Sequence, residues 1–402
     1  MSHTTTAPRR LFALLAMLAV TLLVAACGSN DDGDDGATSA STAGGAAATQ
    51  EAGGASDGVA YAQEQIEQYS AVPEFAIADA EPVDVAALKG KHIFNIPISS
   101  QIPFFVDTDK VMERIATENG LKFTEFTNDG TPQQWADGMN QAIAQKADII
   151  NLQGSPDPKL ILPQLKKAKE AGIPVTITHF YQDGTEPPAE VLPYITGFST
   201  VPFEKVGALL ADWAIAKSDG KANVLVVTAD EVAASAPINK GLDAEFEQYC
   251  PDCKVKKINV PIPQWGSKIQ PEVQSALTAD PSIDWVLPIY DGMSTAAGAG
   301  VQAAGKGNQV KVASYNGTPA MLKQVADAPW MDMDISESMA WLGYANMDTV
   351  FRGLAGQPSI DEKAPLRIMS KDNIAEAGDP PSPDKGMGDS YISGYETLWG
   401  LQ

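Results

Sequence analysis

The feature that most constrains the fold is an alternation of short apolar runs and longer amphipathic segments, which starts near Lys91. Short runs rich in β-branched and aromatic residues predict strands, and helical spacing of apolar residues between them predicts helices. Pro132 and Pro158 stand near two predicted helix starts, where proline is favoured. Strands that alternate with helices form a parallel sheet covered on both faces. The predicted strands are 92–98, 122–126, 148–152, 174–179 and 194–197, and the predicted helices are 104–118, 132–145 and 158–171.

The same pattern begins again after residue 200. These are too many strands for one compact sheet, so we expect an α/β protein of two lobes. Open parallel sheets bind ligands outside the carboxyl ends of their strands, and two facing sheets therefore predict a cleft. The second set comprises helices at 203–217, 238–249, 269–278 and 294–304, and strands at 223–228, 255–260, 285–288 and 310–315.

The first 26 residues predict a lipoprotein signal peptide. Arg9 and Arg10 precede an apolar run over residues 11–23, and small residues follow before Cys27. The run is too short to span a bilayer comfortably. Cys27 resembles the acylation site of bacterial lipoproteins, so we expect an exported chain anchored by lipid to the outer face of the cell membrane. The alternative is an ordinary signal peptide that ends at Cys27.

Residues 27–60 predict a disordered acidic linker rich in Gly, Ser and Ala. They contain almost no large apolar side chains, so no burial would offset the entropy lost on ordering them. The whole chain has 51 acidic and 28 basic residues and a formal net charge of -23. Nucleic acid is therefore excluded as a partner, and anionic lipid head groups would bind such a surface poorly.

Cys250 and Cys253 remain after Cys27 is assigned to the anchor. In an oxidising exterior this close pair predicts a local disulfide. The alternative is a redox pair as in thioredoxin-like proteins, but that chemistry needs the pair to open a helix after a strand, and here the order is reversed. The sequence has no G-x-S-x-G elbow, no Walker loop and no histidine pair at metal-ligand spacing, so we expect no cofactor and no metal.

Several segments, in order along the chain, resemble the ribose- and galactose-type periplasmic sugar-binding proteins, which are solute receptors of ABC importers. The resemblance covers roughly residues 90–360 and implies a type I periplasmic-binding fold, in which two Rossmann-like lobes are joined by three crossovers. It implies a first lobe of 90–198 plus 337–365 and a second lobe of 199–336 plus 366–402, with crossovers near 198–201, 334–338 and after 354. The matching segments are 102–105 (IPFF), 268–286, 290–293 (YDGM) and 314–319 (SYNGTP).

The resemblance also assigns residues to the cleft. Phe104 and Phe105 match an aromatic pair that packs on the sugar, although either could instead pack between helix and sheet. Trp265 lies where the family often has an aromatic residue, and Gln153 could offer a side-chain amide after the third strand. Further candidates, each of which could instead be a surface-loop residue or, for the histidine, the end of a buried strand, are His179, Tyr290, Asp291, Asn316 and Glu337.

The departures from the family pattern bear on the ligand. His179 and Phe180 stand where an Asp-Arg pair is expected, Ile238 replaces a second arginine, and Ile102 replaces a polar residue. Guanidinium groups supply the bidentate donors that usually hold sugar hydroxyls. A plain pentose is therefore doubtful, and a larger, less hydroxylated or partly apolar solute fits the replacements better.

The function implied by the resemblance is a monomeric receptor that binds a sugar or related polar solute and delivers it unchanged to ABC permease subunits. One alternative keeps the fold and makes the chain a ligand-sensing lipoprotein for a receptor kinase. A second alternative is an exported carbohydrate-active enzyme, which needs two carboxylates facing across the cleft. Asp291 and Glu337 are the candidates for that pair.

Overall fold

The computed structural model describes residues 55–77, 80–154 and 157–402. The predicted signal peptide, Cys27 and most of the predicted linker lie outside the described residues. The described chain forms two separate sheets, one in each lobe. None of the described helices has the length and apolarity needed to cross a bilayer.

The first lobe contains a parallel five-stranded sheet in the order β2-β1-β3-β4-β5. Ile93 and Phe94 are fully buried but belong to different apolar clusters, because successive side chains of a strand point to opposite faces. Helices therefore cover both faces of this sheet. Its strands are β1 (His92–Pro97), β2 (Lys122–Glu125), β3 (Ile149–Gln153), β4 (Val175–Gln182) and β5 (Gly197–Val201), and its helices are α2 (Pro103–Glu118), α3 (Pro132–Ala144) and α4 (Leu162–Glu170).

The second lobe contains a six-stranded sheet in the order β11-β10-β9-β8-β6-β7, in which only the β10–β11 pair is antiparallel. The strands are β6 (Asn223–Thr228), β7 (Lys254–Asn259), β8 (Trp285–Pro288), β9 (Lys311–Asn316), β10 (Met331–Ser336) and β11 (Arg367–Ser370). The helices are α5 (Phe203–Lys217), α6 (Ser235–Tyr249), α7 (Trp265–Ala279), α8 (Asp291–Ala303) and α9 (Pro319–Asp327).

The chain crosses between the two sheets three times. It passes from β5 into α5, returns from β10 into α10 (Met339–Ala355), and leaves α10 for β11. Helix α10 packs on α2 and on β3, β4 and β5, which makes it part of the first lobe. The type I periplasmic-binding architecture expected from the sequence is therefore confirmed.

Several boundaries differ from the sequence-based expectation, and two of the differences have a clear structural cause. The fifth strand is Gly197–Val201 rather than 194–197, because a turn of 3-10 helix occupies Leu192–Tyr194. The predicted linker ends earlier than residue 60, because helix α1 (Ala55–Ser70) packs on α5 and α6. Ala62 in this helix is fully buried, and the Tyr61 ring stacks on that of Tyr249 at a centroid distance of 3.8 Å.

The end of the chain also lies elsewhere than expected. The resemblance implies that residues 366–402 belong to the second lobe, and β11 does, but helix α11 (Ser390–Leu398) packs on α10 of the first lobe. The cause is an aromatic cluster in which Tyr344 stacks on Trp399 and lies edge-on to Tyr391. Burial of these large rings holds the terminal helix against the first lobe.

Candidate ligand-binding site

A cavity of about 270 Å³ lies between the carboxyl ends of the strands of the two sheets. This volume is just below the roughly 300–1,000 Å³ typical of ligand pockets. The cavity is where the rule for open parallel sheets predicts a ligand. Most of the residues predicted for the cleft line it, namely Phe104, Phe105, His179, Trp265, Tyr290, Asp291 and Asn316.

Gln153 does not line the cavity but lies beneath it in a buried polar network. The Asn95 amide donates to Asp109 at 2.9 Å and lies 3.5 Å from the Gln153 carbonyl, and Asn151 donates to Asn95 at 2.8 Å. Burial raises the pKa of the Asp109 carboxyl well above its ordinary value. The polar groups at the ends of β1 and β3 therefore bond to one another rather than face the cavity.

Glu337 also lies behind the cavity lining, at the second crossover. Its Oε2 atom lies 2.9 Å from His179 Nε2 and accepts a hydrogen bond from the Tyr315 hydroxyl. Glu337 is fully buried, and its Oε1 atom has no hydrogen-bond partner among the described residues. Burial, with the neighbouring Glu337 carboxylate, raises the pKa of Tyr315 well above its ordinary value. A crossover residue thus links a first-lobe histidine to a second-lobe tyrosine.

The backbone at His179 turns its side chain toward the cavity. His179 has a φ of 54°, and the pairing of β4 with β5 shifts register between Ile177 and Tyr181. A positive φ is unfavourable for a residue other than glycine, and a bulge of this kind redirects the side chain. The His179 ring centroid lies 5.1 Å from that of Phe104 and 5.8 Å from that of Phe105.

A tight turn follows β9 and is held by two carboxyl groups. Asp291 Oδ2 accepts hydrogen bonds from the Thr318 amide at 2.8 Å and the Thr318 hydroxyl at 2.6 Å, and its Oδ1 accepts one from Ser314. Asp334 accepts one from the Gly317 amide at 2.8 Å. Gly317 has a φ of 72°, and a Cβ atom there would lie 2.1 Å from the Ser336 hydroxyl, so only glycine fits.

The carboxyl groups of Asp291 and Asp334 are both buried and affect each other's pKa. Burial raises the pKa of Asp334 well above its ordinary value, and the nearby Asp291 carboxyl raises it further. Burial also raises the pKa of Asp291, against the hydrogen bonds that it accepts. A proton shared by the pair therefore belongs to Asp334 and the charge to Asp291. Asp291 lines the cavity, but its oxygens are engaged in holding the turn.

The two sides of the cavity differ in chemistry. The first-lobe wall consists of Ile98, Ile102, Phe104, Phe105, Phe180 and His179. The second-lobe wall carries most of the polar and aromatic side chains, beside small and aliphatic residues; the former are Trp265, Tyr290, Asp291, Thr295, Tyr315, Asn316 and Thr318, and the latter Val232, Ala233, Ala234, Ile262, Ala320 and Met321. Among the described residues, neither lysine nor arginine lines the cavity. The missing guanidinium groups noted in the sequence are therefore not supplied from elsewhere in the described part of the fold.

Several lining residues escaped the sequence-based prediction. Tyr315 precedes Asn316, the last residue of β9, and Phe203 is the first residue of α5, directly after the first crossover. Position at the end of a strand or beside a crossover was the available signal for both residues. In the part of the chain described, no cluster of His, Cys, Asp and Glu could hold a metal ion. Cys250 and Cys253, remote from the cavity lining, are joined by a disulfide in this structure.

The two lobes, the three crossovers and the cavity between strand ends define a solute-binding protein of the periplasmic type. The chain belongs to the periplasmic binding protein domain family, whose model matches residues 93–358. Members of this family are extracytoplasmic solute receptors. The protein is therefore a binding protein rather than an enzyme, and the carbohydrate-active alternative does not hold.

Solved structures share this fold at low sequence identity. An ABC sugar transporter subunit from Rhodobacter sphaeroides is 23% identical with a TM-score of 0.61, over 71% of this chain and 100% of that one. An ABC transporter solute-binding protein from Agrobacterium vitis with bound allitol is 23% identical with a TM-score of 0.62, over 72% and 98%. A carbohydrate transporter from Acidothermus cellulolyticus in complex with myo-inositol is 20% identical with a TM-score of 0.59, over 72% and 97%. No curated protein matches the chain in sequence.

Proposed function

We propose that the protein is the membrane-anchored solute receptor of an ABC importer and binds a sugar or a sugar-like small polar molecule between its lobes. The observation that carries this proposal is the cavity at the facing strand ends, lined by aromatic residues from both lobes. Aromatic faces pack against the C–H groups of sugar-like solutes, and two of the structural neighbours were solved with the polyols allitol and myo-inositol.

Transport requires that the permease distinguish the loaded receptor from the empty one. A solute held by both walls favours the closed arrangement of the lobes, since it contacts both only when they are close. The bonds from Glu337 to His179 and Tyr315 lie at the crossover about which such a movement would occur. In this proposal the permease subunits recognise the closed surface and receive the solute unchanged.

The anchor is part of the proposal and rests on the N-terminal sequence. Lipids on Cys27 would hold the receptor at the outer face of the membrane, and residues 28–54 would separate it from the bilayer. We expect Cys27→Ser to move the protein from the membrane fraction to the soluble exported fraction, as measured by immunoblotting. The matched control is Cys253→Ser, which should leave the protein in the membrane fraction. Retention of the Cys27→Ser protein in the membrane fraction would contradict lipid anchoring through Cys27.

Recovery of the solute tests the proposed function. The exported protein is purified without added ligand and denatured, and the released small molecules are identified by mass spectrometry. We expect one dominant solute that rebinds unchanged, and we expect deletion of the gene to abolish its uptake by cells. Conversion of that solute by the protein would contradict the proposal, and normal uptake after deletion would favour a sensor.

A further inference from the structure

We infer that the solute is a neutral ring compound with a broad apolar surface and few hydroxyl groups, which are grouped on one edge. This inference rests on the proposed function and concerns the same cavity. It follows from the difference between the two walls, from the polar atoms left available in them and from the charges around the cavity.

The first-lobe wall offers almost no hydrogen bonds. Ile98, Ile102, Phe104, Phe105 and Phe180 present hydrocarbon, and the one polar side chain, that of His179, is bonded to Glu337 through Nε2, which leaves only Nδ1 for a solute. Every buried hydroxyl of a solute needs a partner, because a buried group without one weakens binding. The face of the solute against this wall is therefore apolar.

In the second-lobe wall most polar groups are already engaged within the protein. Trp265 Nε1 donates to the Val260 carbonyl at 2.9 Å, the Tyr290 hydroxyl lies 3.0 Å from the Ser235 hydroxyl, and the Tyr315 hydroxyl donates to Glu337. Their rings remain available for packing against a flat solute, with Trp265 and Tyr290 stacked at a centroid distance of 6.2 Å.

The exceptions in this wall are the exposed Thr295, whose side chain makes no hydrogen bond to a described residue, and Asn316. The Asn316 side chain lines the cavity and makes no hydrogen bond to any described residue, and its backbone is held at a φ of 139°. An amide offers both a donor and an acceptor, so it can bind one or two hydroxyls or a carbonyl group. The polar edge of the solute is therefore expected at Asn316, beside the Thr318 hydroxyl.

The charges around the cavity disfavour ionic solutes. No described lysine or arginine lines it, so an anion would face the Asp291 carboxylate without compensation. A cation would find aromatic faces, but both oxygens of Asp291 already accept hydrogen bonds from Thr318 and Ser314, and Glu337 does not line the cavity. A neutral solute needs neither counter-charge. A cavity of about 270 Å³ suits one small ring system.

A series of six-membered rings tests the inference. Binding of myo-inositol, cis-1,2-cyclohexanediol, cyclohexanol, cyclohexanecarboxylate and cyclohexylammonium to the full exported chain is measured by calorimetry. We expect the diol to bind at least about tenfold more tightly than myo-inositol and more tightly than either ionic compound. Tighter binding of myo-inositol, of the carboxylate or of the ammonium compound would overturn the inference, as would failure of the whole series to bind.

A pair of variants adds a second readout. Ile102→Gln places a polar group in the first-lobe wall, and we expect it to reduce the ratio of diol to myo-inositol affinity by about tenfold. Leu160→Gln is the matched control, because Leu160 is 58% exposed and does not line the cavity, and it should leave the ratio unchanged. An unchanged ratio in Ile102→Gln would overturn the inference. The proposed function fails separately, if the purified protein releases no solute and gene deletion leaves uptake of the candidate solutes normal.

Discussion

The first and second lobes present different chemistry to the cavity although both are parallel sheets that point their strand ends toward it. In the first lobe, Asn95, Asp109 and Gln153 bond to one another beneath an apolar wall. In the second lobe, Asp291 and Asp334 hold a turn that leaves the Asn316 amide available. The shared fold therefore determines where a solute binds, whereas the side chains of each wall determine which solute binds.

The two walls therefore have different tasks. The first-lobe wall contributes packing and excludes water, which favours any solute of suitable shape and low polarity. The second-lobe wall orients the solute, because hydrogen bonds to an amide depend on geometry. Changes in the first-lobe wall should alter affinity broadly, and changes in the second-lobe wall should alter stability and orientation.

The largest expected effect lies outside both walls and separates stability from binding. Asp212 and Glu245 form a pair of acidic residues where α1 contacts α5 and α6, and Lys205, Tyr61 and Tyr69 surround it. Burial, together with the neighbouring Glu245, raises the pKa of Asp212 to about 9. A carboxyl group whose pKa is raised in the folded state contributes its full stabilisation of the fold when the pH is below its unfolded pKa of about 4. It loses that contribution as the pH rises toward 9.

We therefore expect the Asp212 carboxyl to lower the free energy of unfolding by roughly 1 kcal/mol per pH unit between pH 5 and 8. Asp212→Asn should flatten this slope, since asparagine is neutral at every pH, and should leave the affinity for solute unchanged. Denaturant titrations at several pH values measure the slope. An equal slope in the variant would contradict the claim that the raised pKa of Asp212 causes this pH dependence.

The second effect concerns the turn in the second-lobe wall. Asp291→Asn replaces an acceptor oxygen by a donor beside the Thr318 and Ser314 donors, and we expect it to lower the free energy of unfolding by roughly 2–3 kcal/mol. Asp334→Asn is the matched control, because a protonated carboxyl and an amide offer the same donor and acceptor, and it should cost less than about 1 kcal/mol. Equal losses measured by chemical denaturation would contradict the assignment of the proton to Asp334.

The third effect concerns the first-lobe wall. Phe105→Ala removes a ring that packs beside Phe104 and against Gly154, where a Cβ atom would lie 2.3 Å from the ring. We expect a loss of about 10- to 100-fold in affinity for the recovered solute, because apolar contact area is removed. Leu160→Ala, on the exposed surface, should leave affinity unchanged in the same calorimetric titration. A loss below threefold would show that this wall does not hold the solute.

The smallest effect concerns orientation. Asn316→Ala removes the available amide, and we expect a loss of about 1 kcal/mol, or several-fold, in affinity for a solute with a hydroxyl edge. Cyclohexane derivatives without a hydroxyl should bind the variant and the native protein equally in a competition assay. Equal losses for both kinds of probe would mean that Asn316 acts through the cavity shape rather than through a hydrogen bond.

The fold could be predicted from the sequence because strand and helix periodicities differ clearly from Lys91 onward. The residues at strand ends, such as His179 and Asn316, followed from that alternation together with the family resemblance. The contacts of Gln153 and Glu337 could not be predicted, because each side chain turns toward a buried partner that lies far away in the sequence. The place of α11 was missed for the same reason, since Trp399 and Tyr391 identify a helix but not the lobe that receives it.

The most direct test is a crystal structure of the exported protein with the solute that purifies with it. We expect the apolar face of the solute within van der Waals contact of Phe104 and Phe105, and a polar atom within hydrogen-bond distance of the Asn316 amide. A solute held mainly by hydrogen bonds from the first lobe, or bound outside the cavity between the sheets, would contradict the account.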